Sequence, residues 1–202
     1  MKQSEVFLHG EAIEWFARNQ DRLPLTDDPV IQAIETNSLV PGRSLEVGCS
    51  NGWRVKLMRQ KWGVEAYGID PFFAHHHNAW GCRRGTADDL KAFADNMFDM
   101  VIYGWCLYLC DREDLFRIVA EGDRVLKDNG HIVIYDFNQF APYKTKYKHY
   151  DGLYSYKMDY SQLWLANPGY QLMRRYIYNS GDEQTSVAII RRDVEKGWPE
   201  HG

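Results

Sequence analysis

The sequence predicts an α/β fold: a doubly wound, mostly parallel sheet that ends in a C-terminal antiparallel hairpin. Three observations carry this. Between residues 44 and 137, short apolar runs of strand length alternate with segments of helical periodicity, the order expected of right-handed βαβ units. Gly48, Asp70, Asp88, Gly104 and Asp136 all fall where an apolar run ends, and ligands of such sheets bind outside the carboxyl ends of the strands. After residue 169 the rhythm changes to two long runs, Y-Q-L-M-R-R-Y-I-Y and Q-T-S-V-A-I-I-R-R, about the polar turn N-S-G-D-E, which reads as a hairpin.

The 202 residues, 45% of them apolar, suffice for one domain over 1–202 with a large core. A formal charge of −4 argues against a dedicated nucleic-acid surface, which would be strongly basic. Cys49, Cys82, Cys106 and Cys110 show no C-x-x-C spacing, the pattern of a reduced, cytoplasmic protein. The N-terminal residues lack an apolar leader, and no run of about 18 apolar residues occurs, so a soluble cytoplasmic protein with no membrane segment is expected. Oligomeric state leaves no trace in the sequence.

Residues 1–40 read as an N-terminal helical cap. Two helical patterns, split by Pro24 and Pro29, place Ile13, Trp15, Phe16, Val30, Ile31 and Ile34 on apolar faces. A second reading of the segment is a lid whose Trp15 or Phe16 closes over a ligand. Residues 44–52, S-L-E-V-G-C-S-N-G, then form a short buried strand and a small-residue turn, followed by a helix that bears Val55, Met58 and Trp62 and ends at Gly63. Such a turn lets amides at a helix N-terminus approach a ligand. Unlike a phosphate cradle, it has an acid, Glu46, at the strand end. The run V-E-A-Y-G-I-D-P-F is a second strand ending at Asp70 and stopped by Pro71. An acid about 20 residues beyond a glycine turn, on the neighbouring strand tip, can accept both hydroxyls of a ribose. Alone Asp70 would be a turn aspartate; beside the glycine loop it marks a nucleoside site.

A helix with Phe72, Phe73 and Trp80 is expected next, then a third strand from Cys82 leading to Ala87, Asp88 and Asp89 at a helix start. Asp88 suits either an N-cap or the acceptor for an exocyclic amine. His75, His76 and His77 cannot converge on one ion, because consecutive helical residues point about 100° apart, and no metal is expected. The fourth, central strand F-D-M-V-I-Y-G opens into Gly104, Trp105, Cys106, Leu107 and Tyr108. Asp111 is placed to cap a helix with Leu115, Ile118, Val119, Val125 and Leu126, which Asn129-Gly130 ends, and His131 to Phe137 is the fifth strand. Residues 140–169 form an insert rich in tyrosine and lysine. From 140 to 176 six Lys or Arg stand against two Asp, a local +4 that leaves −8 elsewhere. The insert reads either as a substrate lid whose cations meet an acidic or phosphorylated acceptor, or as a surface loop with tyrosine bodies packed inward.

Together these residues resemble class I S-adenosylmethionine-dependent methyltransferases. Glu46-Val47-Gly48-Cys49-Ser50-Asn51-Gly52 is similar to that family's acidic-x-G-x-G-x-G first motif, with Ser50 in place of the central glycine. Asp70 matches its ribose-binding acid, and Ala87-Asp88 resembles its adenine-contacting segment. F-D-M-V-I-Y-G and the stretch from Leu126 to Ile134 resemble its later strand motifs. The resemblance covers residues 40–192 and implies a seven-stranded Rossmann-like methyltransferase sheet. It also implies S-adenosylmethionine as cofactor, surrounded by Glu46, Gly48, Cys49, Ser50, Asp70, Pro71, Ala87, Asp88, Gly104 and Trp105. In that arrangement Gly48 and Gly104 lie near the methionine moiety with Glu46 beneath it, Asp70 holds the ribose and Asp88 meets the adenine. The segment G-W-C-L-Y-L-C-D-R is similar to small bacterial methyltransferases of unassigned acceptor, a likeness that points to surface sugars, and the reading as a whole is methyl transfer to an oxygen or nitrogen of a small molecule or a glycan.

The chemistry agrees with the acids. The donor carries a sulfonium and an ammonium and no phosphate, and no position from Glu46 to Gly52 is basic. Methyl transfer is an in-line displacement, so holding nucleophile and methyl near contact contributes on the order of 7–11 kcal/mol. A base adds roughly 10²–10⁴-fold where the acceptor needs one, and His149 leads the candidates, followed by Tyr108, Asp136 and Tyr143. Two other classes stand beside this reading. A NAD-dependent oxidoreductase would need glycine where G-x-G-x-x-G meets Ser50 and Trp53, and a non-catalytic nucleoside-binding protein could share the fold.

Overall fold

The computed structural model of the chain describes residues 2–23, 27–72 and 81–200. A short helix, α1 (Gln3–Val6), passes through a π-helical turn (Phe7–Glu11) into α2 (Ala12–Asn19). Gly10, at φ 142° and ψ −26°, breaks the helical path between them. In α3 (Pro29–Thr36), Asp28 caps the N-terminus by accepting from the Ile31 amide at 2.9 Å, and Pro29 fills the first position, where no amide is needed. Then follow β1 (Arg43–Val47), α4 (Trp53–Trp62), β2 (Glu65–Asp70), β3 (Cys82–Arg84), β4 (Phe98–Gly104), α5 (Leu115–Val125) and β5 (Leu126–Phe137). The remainder holds β6 (Tyr143–Lys146), β7 (Tyr154–Lys157), α6 (Gln162–Leu165), β8 (Tyr170–Ser180), β9 (Glu183–Arg192) and α7 (Val194–Gly197).

Seven strands form one sheet in the order β3-β2-β1-β4-β5-β9-β8, and β6 and β7 make a separate antiparallel pair. Strands β1 to β5 are parallel, and β9 lies antiparallel between β5 and β8. This is the mostly parallel sheet with a closing hairpin that the sequence predicts. The direction of winding reverses between β1 and β4, so their C-terminal ends flank the switch point where such sheets bind ligands. Leu45, Val47, Val101 and Tyr103 pack on one face with Ile118 of α5 and Trp164 of α6. Met100, Ile102 and Val133 pack on the other with Ile34 of α3 and Val55 and Met58 of α4. Coverage of both faces explains why β4 is apolar throughout rather than alternating. Among the described residues no helix is long and apolar enough to cross a membrane.

Several local expectations are corrected. The crossover from β3 to β4 is a series of turns rather than a helix, so Asp88 is not an N-cap. Arg124 of α5 donates to the carbonyls of Leu90 and Phe93, both at 3.0 Å, and Glu121 accepts from the Leu90 amide at 2.8 Å, which occupies backbone groups a helix would need. Asp111 does not cap α5, which a 3-10 turn (Arg112–Asp114) precedes. Its carboxylate accepts from the amides of Gln3 at 2.9 Å and Ser4 at 3.0 Å and thereby caps α1. Nor does Asn129-Gly130 end α5: the helix stops at Val125 and passes directly into β5, where Asn129, at φ 63°, forms an irregularity. The expected helix through Phe73 and Trp80, with His75, His76 and His77, lies outside the described residues.

The insert is a hairpin docked on the N-terminal helices. The Tyr154 amide donates to Gln3 Oε1 at 2.7 Å, and the Tyr147 hydroxyl donates to Glu11 Oε1 at 2.8 Å, beside an ion pair of Glu11 with Arg18.

Candidate active site

The glycine turn after β1 has its shape for two reasons. Gly48 sits at φ 78°, and a Cβ there would lie 2.4 Å from Cys106 Cβ, so both backbone and space require glycine. Ser50 also takes a left-handed conformation, φ 49°, where the resembling motif has glycine. Its amide donates to Asp70 Oδ2 at 2.8 Å, a charge-assisted bond that offsets the strain. Trp105, just past β4, is a second non-glycine residue at positive φ, 57°. Strained residues of this kind cluster at functional sites, and these two stand on opposite sides of the switch point.

Asp70 ends β2 with both oxygens engaged: Oδ1 accepts from the Phe72 amide at 2.7 Å and Oδ2 from the Ser50 amide. Each carboxylate oxygen keeps a further lone pair, enough for two ligand hydroxyls. Burial pushes the carboxyl up to about 6, against the pull of the two amides. Asp70 lines a pocket over the strand ends, whose walls include Gly48, Pro71, Ala87, Asp88, Gly104 and Cys106. Its roof is the N-terminal segment, through Ser4, Phe7, Ala12 and Trp15. The charged residues that line it, Asp70, Asp88, Asp111 and Asp114, are all acidic.

A second chamber adjoins the first and shares Trp15, Gly48, Ser50, Gly104 and Trp105 with it. Trp53 and Tyr108 add rings, and Asn19, Arg22 and Leu23 line it from the end of α2 onward. Glu46 and Arg54 also line it, both buried. Arg54 donates to Glu46 Oε1 and grips Asp28 with two bonds, Nε to Oδ1 at 3.1 Å and Nη2 to Oδ2 at 2.9 Å. The other oxygen, Glu46 Oε2, has no partner among the described residues. Burial pushes Glu46 up to about 7, opposed by the charge of Arg54.

All ten residues expected around the cofactor line one chamber or the other: Glu46, Gly48, Cys49, Ser50, Asp70, Pro71, Ala87, Asp88, Gly104 and Trp105. Cys49 does so with its backbone, since its thiol lies over Gly68. The four base candidates are not brought together. Tyr108 lines the second chamber, where burial pushes its phenol far above the usual range. Asp136 is buried and lines neither chamber; its carboxylate accepts from the amides of Leu107 (3.0 Å), Tyr108 (3.3 Å) and Phe137 (2.8 Å) and holds that loop. Tyr143 and His149 are exposed on the hairpin and line neither chamber, although β7 of the same hairpin packs on the turn after β4 and places Lys157 over Phe137 at the end of β5. Trp15 belongs to the wall of both chambers, while Phe16 packs on Phe72 with ring centroids 4.7 Å apart. Arg54 and Asp28 were not expected in the site. The available signals were Asp28-Pro29, a helix-start pair, and an arginine on the otherwise apolar face of α4.

Residues 45–134 match the family model of the methyltransferase domain, a span that contains every expected cofactor residue. No curated protein matches the chain in sequence. Solved structures share its fold. The 1,6-didemethyltoxoflavin-N1-methyltransferase of Burkholderia thailandensis, with 1,6-didemethyltoxoflavin and S-adenosylhomocysteine bound, superposes at TM-score 0.72 and 13% identity over 94% of this chain and 90% of its own. A SAM-dependent methyltransferase of Methanosarcina mazei gives 0.59 at 15% identity over 76% and 93%. The cyclase SpnF gives 0.60 at 16% over 82% and 80%. A cyclase on the same fold shows that fold alone does not set the reaction; the family match narrows it. The matched model is that of a methyltransferase domain, and the first two of these neighbours are a methyltransferase with S-adenosylhomocysteine bound and a SAM-dependent methyltransferase.

Proposed function

We propose that the chain methylates a flat small-molecule acceptor at a nitrogen or oxygen that is nucleophilic without help from a protein base. One observation supports this above the others: the two chambers meet at Gly48, Gly104 and Trp105, and Asp70 and Asp88 line one while the rings of Trp53 and Tyr108 line the other. The residues present suit the donor. Asp70 offers two free lone pairs to the ribose, Glu46 offers an unpartnered oxygen to a cation, and Gly48 leaves room for close backbone approach. When bound, S-adenosylmethionine supplies an electrophilic methyl group on a sulfonium.

Trp15, Trp53, Trp105 and Tyr108 then hold the acceptor by ring contact and exclude water, which makes alignment the main source of rate. Tyr108 keeps its proton at neutral pH, so it donates a hydrogen bond and does not act as a base. The hairpin lysines lie outside the lining, and among the described residues Arg22 is the one cation lining the second chamber besides the paired Arg54, which weighs against a strongly acidic acceptor. The Burkholderia enzyme, whose structure holds the small molecule 1,6-didemethyltoxoflavin, lends the small-molecule reading further support. Calorimetry tests the donor half: S-adenosylhomocysteine binds and NAD does not. A screen of flat heterocycles and phenols with labelled donor tests the acceptor half, and label incorporated only into glycans overturns it.

A further inference from the structure

Arg54 joins three elements at the floor of the second chamber: α4, which carries it; β1, through Glu46; and the cap of α3, through Asp28. Its guanidinium lies 4.5 Å over the Trp53 ring, and a Cβ on Gly104 would come within 2.8 Å of Nη1, so the group has no room to move. Two carboxylates share one guanidinium, leaving one negative charge when all are ionised. That charge has one outlet, the unpartnered Oε2 of Glu46. A buried carboxylate oxygen without a donor is costly unless something cationic meets it.

Resting on the reading of this pocket as the donor site, we propose that Arg54 and Asp28 are positioning residues that fix one oxygen of Glu46 and direct the other at the cationic amino-acid end of the donor. The site thereby selects for that end of the ligand independently of the nucleoside, which Asp70 holds. Facing Glu46 are Arg54 from α4, Asp28 from the cap of α3 and Asp70 from β2, and the thiols of Cys49 and Cys106 are near enough to feel its charge. Without ligand Glu46 is part-protonated near neutrality. A cation at Oε2 favours the ionised form, so binding expels the proton.

Calorimetry near pH 6.5, in buffers of different ionisation enthalpy, reads this directly. S-adenosylmethionine and S-adenosylhomocysteine, which share the ammonium, should release a proton on binding, and methylthioadenosine, which lacks it, should not. Glu46→Gln should weaken the first two roughly ten- to hundredfold and leave methylthioadenosine within about twofold. Asp28→Asn removes a negative charge from beside Glu46 and should move the midpoint of proton release down in pH, whereas Arg54→Leu should move it up. Should Arg54→Leu fail to fold, Asp28→Asn carries the test, with its fold judged by the stabilisation methylthioadenosine gives. Equal loss of all three ligands in Glu46→Gln, or an unmoved midpoint in Asp28→Asn, overturns the proposal and leaves the triad a structural tie. If the unaltered protein binds none of the three, the donor reading itself falls and the proposal with it.

Discussion

From the β1–β3 side of the switch point Glu46, Asp70 and Asp88 line the pocket, whereas from the β4 side Trp105 and Tyr108 line it. Glu46 keeps one buried oxygen without a partner among the described residues, and each oxygen of Asp70 accepts a single backbone amide. Across the switch point Trp105 packs at 5.1 Å from Tyr135, 5.3 Å from Phe137 and 5.8 Å from Tyr108. The acid on that side, Asp136, is turned inward and spent on the amides of the loop that carries Tyr108. Buried Glu46 and half-buried Asp70 thus line the cavity, while buried Asp136 builds the wall. A charged donor with a sugar is recognised through fixed acceptors, and an acceptor with a flat face through area.

The contrast is easiest to break at Asp70. Asp70→Ala removes the acceptor for two hydroxyls, each charge-assisted bond being worth about 1.5–3 kcal/mol, so S-adenosylhomocysteine affinity should fall by roughly a hundredfold or more in calorimetry. A loss under tenfold places the ribose elsewhere. Asp136→Asn should behave oppositely. Its amide puts an N–H against backbone donors and leaves at least one buried amide without an acceptor, a cost of about 2 kcal/mol, or roughly 4–8 °C in melting temperature, with donor affinity kept. A donor-binding defect equal to that of Asp70→Ala would erase the distinction between the halves.

Smaller, and common to both halves, is a dependence on pH. Burial raises Glu46 and Asp136 to about 7 and Asp70 to about 6, so between the unfolded carboxylate range and neutrality the folded state binds more protons than the unfolded one. The contribution of these groups is fully present below the unfolded values and is lost as pH rises through the folded ones. The ligand-free protein should therefore melt higher near pH 5.5 than near pH 7.5. The shift given by S-adenosylhomocysteine should be larger at the higher pH, because only there is Glu46 already ionised. An equal shift at both values would put Glu46 out of reach of the ligand.

The acidic side of the pocket was legible in the sequence because it is local. Glu46, Gly48 and Ser50 lie within five consecutive residues, Asp70 ends the adjacent strand, and strand periodicity alone fixes that all of them emerge at one edge of the sheet. The ring-lined half is not local. Trp15, Trp53, Trp105 and Tyr108 come from three separate segments, and no periodicity states that α2 folds back over β4. Capture by distant partners also hid the turns after β3, held by Arg124, and the true task of Asp111, which caps a helix more than a hundred positions earlier in the chain. Arg54 escaped notice because helical periodicity registers which face is buried and not which buried residue is charged.

The smallest expected effect concerns His149. Residue type made it the first candidate base, yet its ring lies exposed, 5.4 Å from that of Tyr147, on a hairpin anchored to Glu11 and Gln3. A base must come within hydrogen-bond reach of the proton it takes, and neither chamber includes this residue. Replacement of an exposed side chain costs at most about 0.5 kcal/mol, so His149→Ala should keep kcat within about twofold once an acceptor is in hand. Tyr147→Phe, which removes the bond to Glu11 and loosens the roof that carries Trp15, should do more, raising the acceptor KM while leaving kcat near its original value. Should the order be reversed, with His149→Ala costing tenfold in kcat and Tyr147→Phe nothing, the hairpin must reach over the acceptor during turnover. The ring-lined half would then gain a titratable group, and its contrast with the acidic half would hold only for the ligand-free protein.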